Sequence, residues 1–284
     1  MNVETLNSMP ESKTKNITDQ LGRIVTVPNQ PKRIVSLVPS QTELLYDLGL
    51  SDEVVGQTLF CIHPQEMRKV KPVVGGTKNV KLDRVDALEP DLIIANKEEN
   101  DKAQIEALME KYPVWISDIK NLDDAIDMVI KVGQLVNKTN EAAAITKNIQ
   151  SSFGSLEDVP NNGVAGKKVL YLIWRKPWMC AGVDNFINEM LSSMGLVNAT
   201  TDKMGRYPEL TSNDIATLCP DFIFLSSEPY PFKEKHMDEL HTICPSAKIV
   251  LVDGELFSWY GSRLQHSVAY FNKLIAQLSN HTIA

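Results

Sequence analysis

The sequence predicts an α/β fold of two parallel-sheet lobes, joined by a single connecting helix, with a ligand cleft between them. Three observations lead there. Short buried-strand runs alternate with helical patterns, the order of elements in the first half recurs in the second, and one long helical stretch separates the halves. A chain of 284 residues is long enough for two lobes that each bury a core.

The first half opens with a strand over Arg33 to Val38, then Pro39-Ser-Gln and a helix that ends at Leu48-Gly-Leu. The second half opens with a strand over Lys168 to Trp174, a polar loop, and a helix from Asp184 that ends at Met194-Gly-Leu. Glycine at each helix end suits the positive φ of a C-terminal cap. Further on, a helix over Leu82 to Leu88 closes at Glu89-Pro-Asp and leads into the strand Leu92 to Ile94. Thr211 to Leu218, Cys219-Pro-Asp and the strand Phe222 to Phe224 repeat that pattern, with proline stopping each helix. Each half then adds one more helix and strand, Lys102 to Lys111 with Val114 to Ser117, and Glu234 to His241 with Lys248 to Val252.

Between the halves lie an amphipathic helix over Leu122 to Val136, a polar break at Asn137 to Asn140, and a second helix over Glu141 to about Leu156 with Asn140 as its N-cap. At 1.5 Å per residue the second helix is roughly 24 Å long, enough for a rigid connector. A loop rich in Pro, Asn and Gly over Asp158 to Gly166 follows, and a final helix spans Ser262 to Leu278. The expected boundaries are an N-terminal lobe over 18–118, a helical segment over 119–157 containing the connector at about 141–156, and a C-terminal lobe over 165–284.

Composition excludes several function classes. Apolar residues make up 43% and charged residues 23%, the balance of a globular chain. A formal charge of -7 and a pI near 5.3 argue against a nucleic-acid partner, which relies on clustered Lys and Arg. The longest apolar run, Val169 to Trp174, falls far short of the roughly 20 residues that cross a bilayer, so no membrane insertion is expected. Met1 to Asn16 is polar and carries no export signal, which points to the cytoplasm if Met1 is the native start and to the periplasm if a signal was removed. Cys61, Cys180, Cys219 and Cys244 form no CxxC pair. A monomer without an intrinsic cofactor is expected.

Several segments together resemble one family. They are Thr18-Asp-Gln-Leu-Gly-Arg, Pro31-Lys-Arg-Ile-Val-Ser-Leu, Pro39-Ser-Gln-Thr-Glu, Val74-Gly-Gly-Thr and Leu88-Glu-Pro-Asp-Leu-Ile-Ile. Over about residues 18 to 280 the chain resembles the cobalamin and siderophore substrate-binding proteins of ABC importers, whose Rossmann-like lobes are joined by one backbone helix. The resemblance implies a metal-chelate ligand, small lobe motion, and delivery to an ABC permease. It places Phe60 on a cleft Tyr, Trp174 on a cleft Phe, Tyr207 on a cleft Trp, Glu255 on a cleft Asp, and Trp259 on a cleft Arg. Thr77 and Asn96 stand where cobalamin binders carry aromatics, which widens the expected ligand to a corrinoid, haem or ferric chelate. An acidic residue on each lobe docks to permease arginines in such proteins, and Asp83 and Asp214 are the candidates here, the latter beside Asn213 at the matching position.

The residues themselves support a ligand site. Phe60, Trp174, Trp178, Tyr207, Trp259 and Tyr260 fall in predicted loops or strand ends, where aromatic faces suit a large flat ligand. Lys176 and Arg175 are placed to answer ligand carboxylates or phosphate. Glu228, Tyr230 and Lys233 follow a strand and are expected at the rim, and Arg263 is placed either to steady its loop or touch ligand, or to form only a local pair at a helix start. In Phe60-Cys-Ile-His-Pro an extended backbone would put Cys61 and His63 on one side, within reach of a bound metal's axial position. His236, His241, His266 and His281 show no ligand spacing. Two alternatives stand beside a transport receptor: a cytoplasmic carrier of the same ligands, and a chelatase-like enzyme on a similar two-lobed plan. No phosphate loop, nucleophile elbow or zinc-protease helix is present to support an enzyme.

Overall fold

The structure, a computed structural model, describes residues 13–157 and 163–279. Most of the polar start, part of the loop at 158–166 and His281 lie outside the described residues. Two compact units are present, one running to Asp118 and including Ile130–Ala142, the other comprising Ile119–Val129 and the chain from Ala143 onward.

In the first unit, β1 (Thr14–Thr18) and β2 (Ile24–Pro28) form an antiparallel hairpin. Its turn is closed by Asp19, one of the family-like residues, whose carboxylate accepts the backbone N–H groups of Leu21 and Arg23 and the Arg23 guanidinium at 2.6 Å. The order continues with β3 (Ile34–Ser36), α1 (Pro39–Asp47), β4 (Val54–Gln57), α2 (Gln65–Val70), the short β5 (Gly75–Gly76) and β6 (Asn79–Val80), α3 (Leu82–Asp86), β7 (Leu92–Asn96), α4 (Lys102–Met109) and β8 (Val114–Ser117). The main sheet is wholly parallel, in the order β4-β3-β7-β8. Its strands are apolar on both faces, as a helix-covered parallel sheet requires, and Val35, Leu37, Ile93, Ala95, Ile105, Val114 and Ile116 pack into one core.

Helices α5 (Leu122–Leu135) and α6 (Thr139–Glu157) each contain residues of both units. Helix α6 starts at Thr139, so Asn140 lies within its first turn and not at the cap. At the turn between these helices Gly133 lies so close to Ala142 that a Cβ would come 2.4 Å from the alanine methyl. That turn is tied to the first hairpin by Lys15 Nζ, which donates to Gln134 O at 2.7 Å, and by Asn137 Nδ2, which donates to Asn29 O at 2.5 Å.

The second unit continues with β9 (Lys168–Trp174), β10 (Trp178–Cys180), α7 (Phe186–Ser193), β11 (Val197–Asn198), β12 (Glu209–Leu210), α8 (Ser212–Leu218), β13 (Phe222–Ser226), α9 (Lys235–Ile243), β14 (Lys248–Val252), α10 (Glu255–Ser258) and α11 (Leu264–Ser279). Strands β11, β9, β13 and β14 pair in parallel, while β10 and β12 extend the same sheet antiparallel, so this sheet is mixed where a parallel one was expected. The cause is the turn at Arg175–Pro177, with Lys176 at φ 69, which folds the chain straight back beside β9.

One device recurs in both units. Asp91 accepts the backbone N–H groups of Lys32 and Arg33, and Asp221 accepts that of Lys168, so each Pro-Asp pair pins the start of a neighbouring strand. The preceding residues, Glu89 and Cys219, both adopt positive φ, which turns the helix end toward that contact.

Candidate ligand-binding site

Loops at the carboxyl ends of parallel strands are where α/β sheets place ligand groups, and several of the sequence-selected residues lie there. Phe60 follows β4, Trp174 ends β9, and Glu255, Trp259 and Tyr260 follow β14.

In the first unit Phe60 is 51% exposed, beside the exposed Leu59. Gly76 makes room for the ring, since a Cβ there would come 3.3 Å from Phe60 Cε2. Cys61 and His63 are not in the extended arrangement the sequence suggested. Cys61 N–H donates to Thr58 O and Ile62 N–H to Phe60 O, so the backbone turns. Cys61 is 1% exposed with its sulfur 3.1 Å from the Thr42 hydroxyl and 3.2 Å from that of Thr58, and burial pushes its thiol up. A buried, protonated thiol is a poor axial ligand. His63 lines a surface pocket with Ile62, Gln65, Arg68 and Lys69. Among the described residues no group of three or more His, Cys, Asp or Glu is gathered to hold a metal.

Asn96, at a position where the resemblance leads one to expect an aromatic, is buried in a polar network. Its side chain donates to Ser117 Oγ at 3.0 Å and accepts the N–H groups of Glu98 and Glu99. It shapes the loop after β7 and offers no stacking face.

In the second unit Trp174 and Tyr207 are each 41% exposed. Trp174 meets Tyr230 edge to face with centroids 5.5 Å apart, and the Arg206 guanidinium lies 5.9 Å from the Tyr207 ring. Trp178 differs: it is buried and stacks on Phe232 at 6.2 Å, in the core. Arg175 lies over Trp178 and pairs with Glu239 at 2.5 Å, so its charge is committed within the unit, whereas Lys176 is exposed. Tyr230, expected only at the rim, is the support of Trp174, and its hydroxyl lies 3.3 Å from His236 Nε2. Desolvation lowers the His236 pKa, with the Lys235 and Arg175 charges adding to it.

Trp259 and Tyr260 are buried, contrary to their expected place as open stacking faces. The Trp259 indole N–H donates to Glu228 Oε1 at 2.8 Å, and Tyr260 packs edge-on against Phe186 at 6.0 Å. Glu255 pairs with Arg263 at 3.0 Å. The docking candidates are both exposed, Asp83 in the first turn of α3 and Asp214 in that of α8. Asp214 is also half of a capping box with Thr211, and these hydrogen bonds hold its carboxyl below the usual range.

A family model described as periplasmic binding protein matches residues 34–241. An uncharacterized ABC transporter substrate-binding lipoprotein, YvrC, of Bacillus subtilis (strain 168) is 30% identical over 215 residues, 73% of this chain and 67% of that protein. The vitamin B12-binding protein of Vibrio parahaemolyticus is 24% identical over 204 residues, 71% of this chain and 74% of that protein. Among solved structures, the periplasmic vitamin B12 binding protein BtuF of Vibrio cholerae superposes with a TM-score of 0.75 at 19% identity, covering 89% of this chain and 100% of that one. A periplasmic heme-binding protein, BhuT, holding two hemes gives 0.76 at 20% identity, covering 87% and 99%. Those superpositions show a shared fold, and the family match spans most of the chain: it belongs to the periplasmic binding protein family.

Proposed function

We propose that the chain is the substrate-binding component of an ABC transporter and that its ligand is a metal chelate of the corrinoid, haem or ferric-siderophore class. One observation carries the ligand class. Of the aromatic rings the sequence singled out, Phe60, Trp174 and Tyr207 stand open at 51%, 41% and 41%, although apolar rings of this size are ordinarily buried. Exposed rings at strand ends and loops suit a large flat ligand, and Lys176, exposed two residues after Trp174, is suited to meet a carboxylate or phosphate. His63 is the remaining candidate for the axial position of a bound metal.

The transporter role is supported by the family and by the likeness to the Bacillus subtilis ABC transporter substrate-binding lipoprotein. Asp83 and Asp214 are the proposed permease contacts, and the lobe limits are those expected from the sequence, 18–118 and 165–284 around a helical segment at 119–157. The test is calorimetric titration of the purified protein with cyanocobalamin, haemin and a ferric hydroxamate, followed by visible absorption. Saturable binding of one of them at micromolar affinity or better is expected, and its weakening in Trp174→Ala and Tyr207→Ala assigns the rings. No binding of any of the three would overturn the ligand class.

A further inference from the structure

The loops after β13 and β14 are joined by one carboxylate. Ser258 Oγ and Trp259 Nε1 both donate to Glu228 Oε1, each at 2.8 Å. Glu228 belongs to the loop after β13, and its own backbone carbonyl accepts the Ser226 hydroxyl at 2.5 Å. The contact depends on Gly254, where a Cβ would come 2.3 Å from Ser226 Oγ and 2.8 Å from Glu228 Cγ. Any larger residue at 254 would push the two loops apart.

Trp259 is therefore fixed on two sides. Glu228 holds the edge of the indole, and the Arg263 guanidinium lies 4.9 Å from its ring centroid while pairing with Glu255 at 3.0 Å. Such a frame orients a large ring far better than apolar packing alone, because the charge-assisted bond to the indole N–H is directional. None of the aromatic spacing in the chain explains why a glutamate should sit there.

We propose that Glu228 is a positioning residue of the ligand site: its carboxylate sets the orientation of Trp259 and with it the loop that carries Glu255, Trp259 and Tyr260. The role in affinity rests on the function proposed above, while the tie to the indole stands on geometry alone. Glu228 acts through Trp259 and not by touching ligand.

The groups that face this carboxylate give it a pH dependence. Burial pushes the Glu228 carboxyl up, and Glu255 and Asp253 push it further, against the opposing bonds from Ser258 and Trp259. Tyr171 from β9 also faces the group and is itself raised by burial, and Arg263 is engaged by Glu255. Protonation removes the charge that strengthens both bonds, so the loop loosens on acidification, above the ordinary carboxylate range.

The test uses whole protein labelled with 15N at tryptophan, which gives four indole signals, that of Trp259 being assigned by its loss in Trp259→Phe. Spectra are recorded without ligand between about pH 4 and 8, a range spanning raised carboxylates. In the native protein the Trp259 signal should move on acidification. Glu228→Ala should displace it at every pH, and Glu228→Gln should hold it near the position of the acidified native protein and remove the pH dependence. Affinity for cyanocobalamin and haemin, measured alongside, should fall about tenfold in Glu228→Ala and by less in Glu228→Gln, whose amide oxygen still accepts the indole N–H without the charge. A Trp259 signal that is unmoved in Glu228→Ala, or that titrates in Glu228→Gln as in the native protein, overturns the proposal; so does unchanged affinity in Glu228→Ala for a chelate the native protein binds. If Glu228→Ala fails to fold, the titration of Glu228→Gln decides. If the native protein binds neither chelate, the ligand reading fails and the indole signal alone decides whether Glu228 holds the loop.

Discussion

The carboxylate of Asp221 accepts the backbone N–H of Lys168 at 2.8 Å, and its other oxygen meets the Lys167 ammonium at 3.1 Å. A residue at the foot of β13 thereby sets where β9 begins. Desolvation raises the Asp221 carboxyl, but the Lys168 N–H and the Lys167 charge outweigh it, so its pKa is lowered. A carboxylate depressed in the folded state stabilises fully above its unfolded value near 3.8, and that stabilisation is lost as pH falls through the folded pKa. Chemical denaturation of Asp221→Asn should therefore show lower stability than native protein at neutral pH and a smaller difference in the acid limb. A constant difference down to the lowest pH at which both fold would contradict the assignment.

Two tryptophans in adjoining strands should respond in opposite ways. Trp178 is 7% exposed and stacked on Phe232, so Trp178→Ala should cost about 3 to 5 kcal/mol of stability through the cavity it leaves. Trp174 is open, so Trp174→Ala should leave the melting temperature near native and weaken the identified chelate by about tenfold, the value of losing a stacked ring. Paired thermal and calorimetric measurements check both, and a sharply lowered melting temperature for Trp174→Ala would return that ring to a packing role.

Thiol accessibility gives a chemical check on the two units. Among the four cysteines Cys219 is exposed, while Cys61, Cys180 and Cys244 are buried. Burial pushes Cys180 up to about 12 and raises Cys61, which removes the reactive thiolate at neutral pH. Iodoacetamide treatment of native protein, read by mass spectrometry of peptides, should modify Cys219 first and the others only after denaturation. Early labelling of Cys61 would show that the turn after Phe60 opens.

The close approach of α5 and α6 predicts intolerance at one glycine. A methyl at Gly133 would come 2.4 Å from Ala142 Cβ and 3.0 Å from Lys138 O, and a backbone oxygen cannot yield as a flexible side chain does. Gly133→Ala should destabilise by about 1 to 3 kcal/mol despite the higher helix propensity of alanine. Urea unfolding measures this, and a stabilised variant would show that propensity outweighs the contact.

Much of the architecture was legible because it is written in local pattern. The strands at Lys168 to Trp174 and Phe222 to Phe224, and the paired Glu89-Pro-Asp and Cys219-Pro-Asp stops, need only neighbouring residues to specify them, and strand ends then locate Phe60, Trp174 and Glu255 at one edge of their sheets. The loop at Ser227-Glu-Pro-Tyr-Pro reads as rim from its place after a strand, but nothing local in it says that Tyr230 supports Trp174 or that Glu228 holds Trp259.

What the sequence by itself determined, then, is the alternation of strands and helices, the doubled plan, and the set of aromatics at strand ends. Tertiary structure alone decided which of those rings are open and which are occupied. Trp174 and Trp178 are four residues apart, yet one is exposed and the other stacked on Phe232, and Trp259 is claimed by a glutamate 31 residues away. Periodicity is set by the backbone geometry of adjacent residues, whereas exposure and polar partnering depend on groups brought together from distant parts of the chain.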